Sequence, residues 1–138
     1  LLNGLSLKPV EVLKNEQAYF AIYRSQKEIE QLNYHSETLK KLAPFDVVVS
    51  AKSERAIKGT PIDFVSRYFW PANGGDEDPV TGSIHTGLAP YWAEKLGKNE
   101  LIAYQASQRG GILYCQVKGN KVHISGQAVL YLKGIITV

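Results

Sequence analysis

Apolar residues in this chain come mostly in short runs separated by turn-forming residues, which is the pattern of β-strands. Where apolar and polar residues alternate, as in 121–125, we expect Val122 and Ile124 to lie inside and His123 outside. Gly119-Asn120, just before that run, is a two-residue turn of the kind that joins hairpin strands. The pattern predicts eight strands, at 9–13, 18–23, 46–51, 62–70, 101–106, 111–118, 121–125 and 127–133.

Two short helices are predicted between the second and third strands. Ser25 and Glu28 form a capping box, which indicates a helix that ends near residue 32. Ser36 can cap a second helix over 37–42, which Pro44 would end.

The longest helical pattern covers residues 83–96. Leu88, Trp92 and Leu96 recur every fourth residue and form one apolar stripe, so we expect a mostly buried helix that Gly97 ends. Pro90 predicts a kink or a split in it. The order of elements indicates an α+β fold, with one domain over 1–138 and an antiparallel sheet curling around this one apolar helix.

Composition narrows the class of protein. The chain has 138 residues, 44% of them apolar, which is enough for one compact domain with a core. The net charge of +3 is spread along the chain, so we expect no binding to nucleic acid and no membrane patch or span. We find no secretion signal and expect a cytoplasmic protein, in which the single Cys115 is a buried thiol without a disulfide.

The candidate chemistry lies in the segment 73–92, which is rich in glycine and acidic residues. Gly82 and Ser83 stand where a loop becomes the long helix, and free N–H groups at such a junction favour a carboxylate or phosphate. Ser83 can cap the helix or turn its hydroxyl to a ligand. Asp78 would wall the site, where it could handle a proton or pair with a cationic group. The alternative is structural: a tight turn followed by a capped helix.

Two motifs carry a family resemblance. Glu77-Asp-Pro-Val-Thr-Gly-Ser83, followed by His85 and Pro90-Tyr-Trp92, resembles the signature of the phenazine-biosynthesis (PhzF-like) isomerases, which are related in fold to diaminopimelate epimerase. Gln105-Ala-Ser-Gln-Arg-Gly-Gly-Ile-Leu113 resembles the second motif of that family. The resemblance extends from about residue 9 to residue 134. Two departures are Ile84, where Ala is common, and Thr86, where Cys is common.

The resemblance implies a half-barrel around a central helix, as the second of two similar halves of a cofactor-independent isomerase. It implies that Gly82 and Ser83 hold the carboxylate of a small carboxylic acid, and that Asp78 is a polar, proton-handling group. The main catalytic Glu and a second active-site His would belong to the first half. The chain contains no Met and begins with Leu1, which fits a piece of a longer protein. Alone, we expect little or no activity.

Three further residues are candidates for the cleft. His85 either lines it or is a packed histidine satisfied by backbone, and Arg109 either lines it or lies on the surface at a bulge. Arg67 could hold the acidic loop by pairing with Asp76 or Glu77. The histidines are not at ligand spacing, so we predict no metal. The alternative function is a non-catalytic domain whose exposed cleft face drives a homodimer; otherwise the partner is the missing first half.

Overall fold

A computed structural model describes residues 1–137, which form one mixed sheet and a few short helices. The sheet has seven strands that lie side by side in the order of the sequence. They are β1 (Glu11–Lys14), β2 (Ala18–Ile22), β3 (Asp46–Lys52), β4 (Phe64–Phe69), β5 (Glu100–Gln105), β6 (Gly111–Lys118) and β7 (Lys121–Gly126).

The helices are α1 (Gln26–Gln31), α2 (Ser36–Leu39) and α3 (His85–Leu96), with 3₁₀ turns at Leu2–Gly4, Lys40–Leu42 and Pro71–Asn73. The capping box of Ser25 and Glu28 is confirmed, since each residue bonds the backbone N–H of the other. The second helix is α-helical only over α2 and continues as a 3₁₀ turn.

The sheet is mostly but not wholly antiparallel, so the prediction of an antiparallel sheet needs correction. β2 pairs with β3 and β4 pairs with β5 in parallel, and the other four pairings are antiparallel. The reason is the connection: α1 and α2 lie between β2 and β3, and α3 lies between β4 and β5. A helical crossover returns the chain to the edge where the previous strand began, so the next strand runs parallel to it.

Each face of the sheet has its own apolar core, because successive strand residues point to opposite faces. On one face α3 packs Leu88 and Trp92 against strand residues such as Phe64. On the other face α1 and α2 contribute Ile29 and Leu39 to a second cluster. Burying a side chain of this size contributes about 2 kcal/mol.

The long helix is continuous through Pro90, so the predicted split is wrong. Proline removes one helical hydrogen bond, here the one to the carbonyl of Thr86. Both residues lie on the exposed side of the helix, where water can satisfy that carbonyl. Gly97, with φ of 68°, ends the helix as predicted.

Residues 127–133 form no strand, which corrects the sequence prediction. The residues of 127–137 are exposed, with Val129 92% and Tyr131 98% exposed. A strand needs a neighbour for its N–H and C=O groups, and no neighbouring strand in the described chain pairs with this segment.

Local predictions for the last hairpin agree with the structure. Gly119-Asn120 forms the turn between β6 and β7, Val122 and Ile124 pack against the α3 core, and His123 is exposed. Among residues 1–137, no helix combines the length and apolar character that crossing a membrane requires.

Candidate functional site

The acidic loop after β4 is held by backbone pairing. The Trp70 N–H donates to the Asp76 carbonyl at 2.9 Å, and the Asp78 N–H donates to the Tyr68 carbonyl at 3.0 Å. Glu77 therefore forms a β-bridge with Phe69. In this extended pairing neighbouring side chains point to opposite faces, which separates the environments of Glu77 and Asp78.

Glu77 is anchored by Arg67 on the α1 face of the sheet. The Arg67 Nε and Nη2 donate to the two carboxylate oxygens of Glu77 at 2.8 and 2.9 Å. The Arg67 Nη1 donates to the carbonyls of Ile29 and Leu32, at 3.2 and 2.6 Å, where α1 ends. The side chains of Arg67 and Glu77 are 13% and 18% exposed. The predicted pairing of Arg67 with Asp76 or Glu77 is thus confirmed for Glu77.

Asp78 is held by a different set of contacts. The Thr81 hydroxyl donates to Asp78 Oδ2, and Thr81 in turn contacts Gln105, a fully buried residue at the end of β5. The Gln105 Nε2 also donates to the Asp78 carbonyl at 2.7 Å. Among residues 1–137, Asp78 Oδ1 accepts no hydrogen bond. One carboxylate oxygen is thus held while the other is available.

Gly82 and Ser83 form the exposed entry to α3, which begins at His85 rather than at Ser83. The Ser83 side chain does not cap the helix; its Oγ accepts from the Gln17 Nε2 at 2.9 Å. The N–H groups of Gly82 and Ser83 find no acceptor within the part of the chain that the structure describes. A Cβ added to Gly82 would meet no atom within 4 Å, so the space in front of it is open.

A series of side-chain hydrogen bonds leads from Ser83 into the interior. Gln17 also approaches the Tyr68 hydroxyl at 3.5 Å, and that hydroxyl donates to Asp46 Oδ2 at 2.6 Å. The second Asp46 oxygen accepts from Asn73 at 2.7 Å. Burial, the bond to Asp46 and the charge of Asp78 raise the pKa of Tyr68 to about 12, so its phenol stays protonated.

His85 is fully buried and packs against Phe64, with ring centroids 5.9 Å apart. Its Nδ1 lies 2.7 Å from the Thr81 carbonyl and its Nε2 lies 3.5 Å from the Ser66 hydroxyl. Burial lowers the pKa of His85 to about 4, so the ring is neutral at physiological pH. Its position matches the packed alternative, and its contact with Thr81 ties the first turn of α3 to the loop.

Arg109 lies apart from these residues. It is exposed and lines a cavity of about 700 Å³ with Val80 and Tyr104, among others, and that lining does not include Asp78, Gly82 or Ser83. The loop before Arg109 does touch the acidic loop, since the Ser107 hydroxyl donates to the Pro79 carbonyl at 2.7 Å. Over residues 1–137, no three or more His, Cys, Asp and Glu side chains come together in a way that could hold a metal ion.

Known proteins are similar to this chain over nearly all of its residues. The family model described as "Phenazine biosynthesis-like protein" matches residues 4–134, nearly the whole chain. The chain belongs to the phenazine biosynthesis-like family. An uncharacterized isomerase from Pseudomonas aeruginosa is 46% identical over 136 residues, and one from Halalkalibacterium halodurans is 42% identical over 133 residues. A solved phenazine biosynthesis PhzC/PhzF protein from Clostridium difficile superposes on 99% of this chain, with a TM-score of 0.83 and 40% identity.

The lengths of these relatives differ from that of this chain. The matches cover 99% and 96% of this chain but only 50% and 49% of the two bacterial isomerases, and 50% of the solved chain. The chain therefore spans about half the length of the phenazine biosynthesis-like relatives that it matches.

Ile84 and Thr86, the two departures from the motif noted in the sequence, lie where the loop enters α3. Ile84 is fully buried in the α3 core, so its extra bulk does not project into the open space before Gly82. Thr86 is exposed and its hydroxyl donates to the Ser83 carbonyl at 2.6 Å, which supports the turn.

Proposed function

We propose that this chain is the second half of a cofactor-independent isomerase that moves a proton, and with it a double bond, in a small carboxylic acid. Two things support the reaction class: the chain belongs to the phenazine biosynthesis-like family, and curated relatives are named isomerases. The half length supports the assignment to one of two similar halves. In this proposal the sheet and α3 form a half-barrel of the diaminopimelate epimerase type, and the cleft lies between the two halves.

The observation that carries the proposal is the exposed entry to α3. The free N–H groups of Gly82 and Ser83 lie at the positive end of a helix of 12 residues, where a carboxylate is favoured. The Ser83 hydroxyl accepts from Gln17, so its own proton is available to a ligand. In the proposed complex, Gly82 and Ser83 bind the substrate carboxylate.

Asp78 is the proposed polar group beside this carboxylate. Its Oδ2 is occupied by the Thr81 hydroxyl, and its Oδ1 can take or orient a proton of the substrate. The main catalytic Glu would come from the first half, as the family resemblance implies. Because that residue is not in this chain and half of the cleft is open, the chain alone is expected to be inactive or weakly active.

The experiment is reconstitution in D₂O. This chain is combined with the first half of the Pseudomonas aeruginosa relative, and proton NMR follows deuterium uptake into a panel of small unsaturated carboxylic acids. Exchange is expected with the two halves together and with neither half alone. If the reconstituted pair forms a stable complex and exchanges no proton in any acid of the panel, the proposal is wrong.

Two substitutions and a matched control assign the roles. Asp78→Ala is expected to abolish exchange without loss of folding. Gly82→Ala introduces a methyl group into open space, so it should fold normally and lose carboxylate binding. Gly126→Ala at the end of β7 is the control, because its Cβ would make only an ordinary contact at 3.6 Å. Unchanged exchange in Asp78→Ala would remove Asp78 from the mechanism.

A second function is favoured by one observation, the exposed apolar tail. Leu130, Tyr131, Ile135 and Ile136 are between 80% and 98% exposed, which is an unusual density of bare apolar side chains. We propose as the alternative a non-catalytic domain that forms a homodimer. Light scattering over a range of concentrations separates the two functions: a stable dimer that survives Asp78→Ala supports association, and a monomer at all concentrations rules it out.

A further inference from the structure

Gln105 is a buried amide that contacts both ends of the turn carrying Asp78. It is 0% exposed at the last position of β5. Its Oε1 accepts from the Thr81 N–H at 2.8 Å, and its Nε2 donates to the Asp78 carbonyl at 2.7 Å and to Thr81 Oγ1 at 3.1 Å. Both polar atoms of this side chain, Oε1 and Nε2, therefore make their hydrogen bonds to the turn between Asp78 and Thr81.

The orientation of the Gln105 amide is set by the backbone. A backbone N–H can only donate and a backbone carbonyl can only accept. Because Thr81 N–H faces one end of the amide and the Asp78 carbonyl faces the other, turning the amide over would break both bonds. The Nε2 therefore stays beside Thr81 Oγ1.

From this geometry we propose that Gln105 is a positioning residue for Asp78, acting through the hydroxyl of Thr81. The hydroxyl accepts a hydrogen bond from Gln105 Nε2, so its single proton is directed to Asp78 Oδ2. Oδ2 is held in this way, and within residues 1–137 Oδ1 accepts no hydrogen bond. The inference rests on the proposed function of Asp78 and explains how its carboxylate is held in one orientation.

The same amide fixes the carboxylate-binding residues. Thr81 directly precedes Gly82, and its N–H is held by Gln105 while its carbonyl is bonded by His85 from α3. Gln105 therefore sets the distance between Asp78 and the entry to α3. A catalytic group can reach a proton of the bound acid only if its distance from the site that holds the carboxylate is fixed.

The test compares two buried glutamines of this chain by NMR. Gln105→Met removes the amide and keeps the length of the side chain. Gln26→Met on α1 is the matched control, because Gln26 is 2% exposed and its amide bonds Glu30, Ser53 and Glu54 on the other face of the sheet. Both variants lose stability for the same reason, but only Gln105→Met is expected to change the site.

The first measurement is the Hα–Hβ coupling of Asp78, which reports its χ1 rotamer and needs no ligand. One rotamer is expected in the wild-type chain and in Gln26→Met, and averaged couplings in Gln105→Met.

Thr81→Val keeps the backbone bonds of Gln105 and removes only the hydroxyl, so it should also release Asp78; Thr81→Ser should retain the single rotamer. These two variants decide the matter if Gln105→Met fails to fold. A single Asp78 rotamer in Thr81→Val overturns the proposal.

The second measurement titrates the same chains with sodium benzoate, using benzamide as the neutral analogue. Saturable shifts of the Gly82 and Ser83 amides are expected with benzoate alone. The affinity should fall roughly tenfold in Gln105→Met, as for loss of one or two hydrogen bonds, and stay within about twofold in Gln26→Met. Unchanged affinity in folded Gln105→Met overturns the positioning of the carboxylate site. If wild type shows no such shifts while the Asp78 couplings respond as expected, the carboxylate site fails and the positioning of Asp78 stands.

Discussion

Replacing Arg67 by methionine should destabilise the protein far more than loss of a surface ion pair does. Arg67 makes four hydrogen bonds, two to Glu77 and one each to the carbonyls of Ile29 and Leu32. Without Arg67, a carboxylate that is 18% exposed loses its counter-charge and the end of α1 loses its donor. Removing one partner from a buried pair costs about 3–5 kcal/mol, and the partial exposure here lowers the expected cost to about 2–3 kcal/mol.

The assay is a double-mutant cycle in urea, followed by the fluorescence of Trp70 and Trp92. Arg67→Met, Glu77→Gln and the double variant are compared, and the coupling free energy is expected to be about 1.5–2.5 kcal/mol. The double variant should be more stable than Arg67→Met, because it leaves no unpaired charge. The m-value should not change, since the surface exposed on unfolding is the same.

The control cycle uses Arg55 and Glu30. This pair is joined at a similar distance of 2.7 Å, but its side chains are 63% and 32% exposed. Its coupling should be below about 1 kcal/mol and should fall in 1 M salt, whereas the coupling of Arg67 with Glu77 should change little. Equal couplings in the two cycles, or a value near 0.5 kcal/mol for Arg67 and Glu77, would refute the argument from burial.

Two further predictions concern buried titratable groups. Burial lowers the pKa of His85 from 6.5 to about 4, so between these values the unfolded chain binds a proton that the folded chain does not. The free energy of unfolding should therefore decrease as the pH is lowered from about 6.5 to about 4, by roughly 1.4 kcal/mol per pH unit, and the decrease should be smaller in His85→Asn. Burial also raises the pKa of the Cys115 thiol to about 11, so Ellman's reagent at pH 8 should modify it only as fast as the chain opens, and at once in urea; rapid modification of the native chain would contradict its burial.

Features set by neighbouring residues were predictable from the sequence. The capping box of Ser25 and Glu28, the helix end at Gly97 and the hairpin turn at Gly119 each depend on a few adjacent residues. The bounds of each observed strand lie within two residues of the predicted run, with β3 predicted at 46–51 and observed at Asp46–Lys52. Local chemistry is enough to determine these features.

Features set by pairing were harder to predict. The parallel pairings follow from helical connections between neighbouring strands, but only once the strand order is known. The apolar residues of 127–133 were interpreted as a strand because their composition favours one, yet a strand also requires a partner. Pro90 predicts a kink or a split, yet α3 is not split, because the missing hydrogen bond lies on the exposed side of the helix.

Some residues that support the candidate site can be recognised in the sequence, because they are polar residues at inward-facing positions of a strand. In β5, Leu101 and Ala103 point to the α3 core, and Gln105 occupies the next inward position. A polar group at an inward position costs free energy unless it is hydrogen-bonded, so such a residue must have partners nearby. Ser66, which lies between the inward-facing Phe64 and Tyr68 of β4, meets the same requirement through His85.

The inward-facing polar residues Gln105 and Ser66 mark the part of the core that hydrogen-bonds to the acidic loop and to the first turn of α3. A buried amide such as Gln105 could have been replaced by an apolar residue if packing were its only task, because satisfied buried polar groups add little net stability over apolar ones. A polar residue at this position is explained if the turn of Asp78 and Thr81 needs a fixed position more than the core needs apolar area. In the sequence Asp78, Gly82 and Ser83 stand out in the loop, and Gln105 appears only as the first residue of the second motif. The contacts of Gln105 with the turn of Asp78, and of Gln17 with Ser83, join residues far apart in the chain and are visible only in the structure.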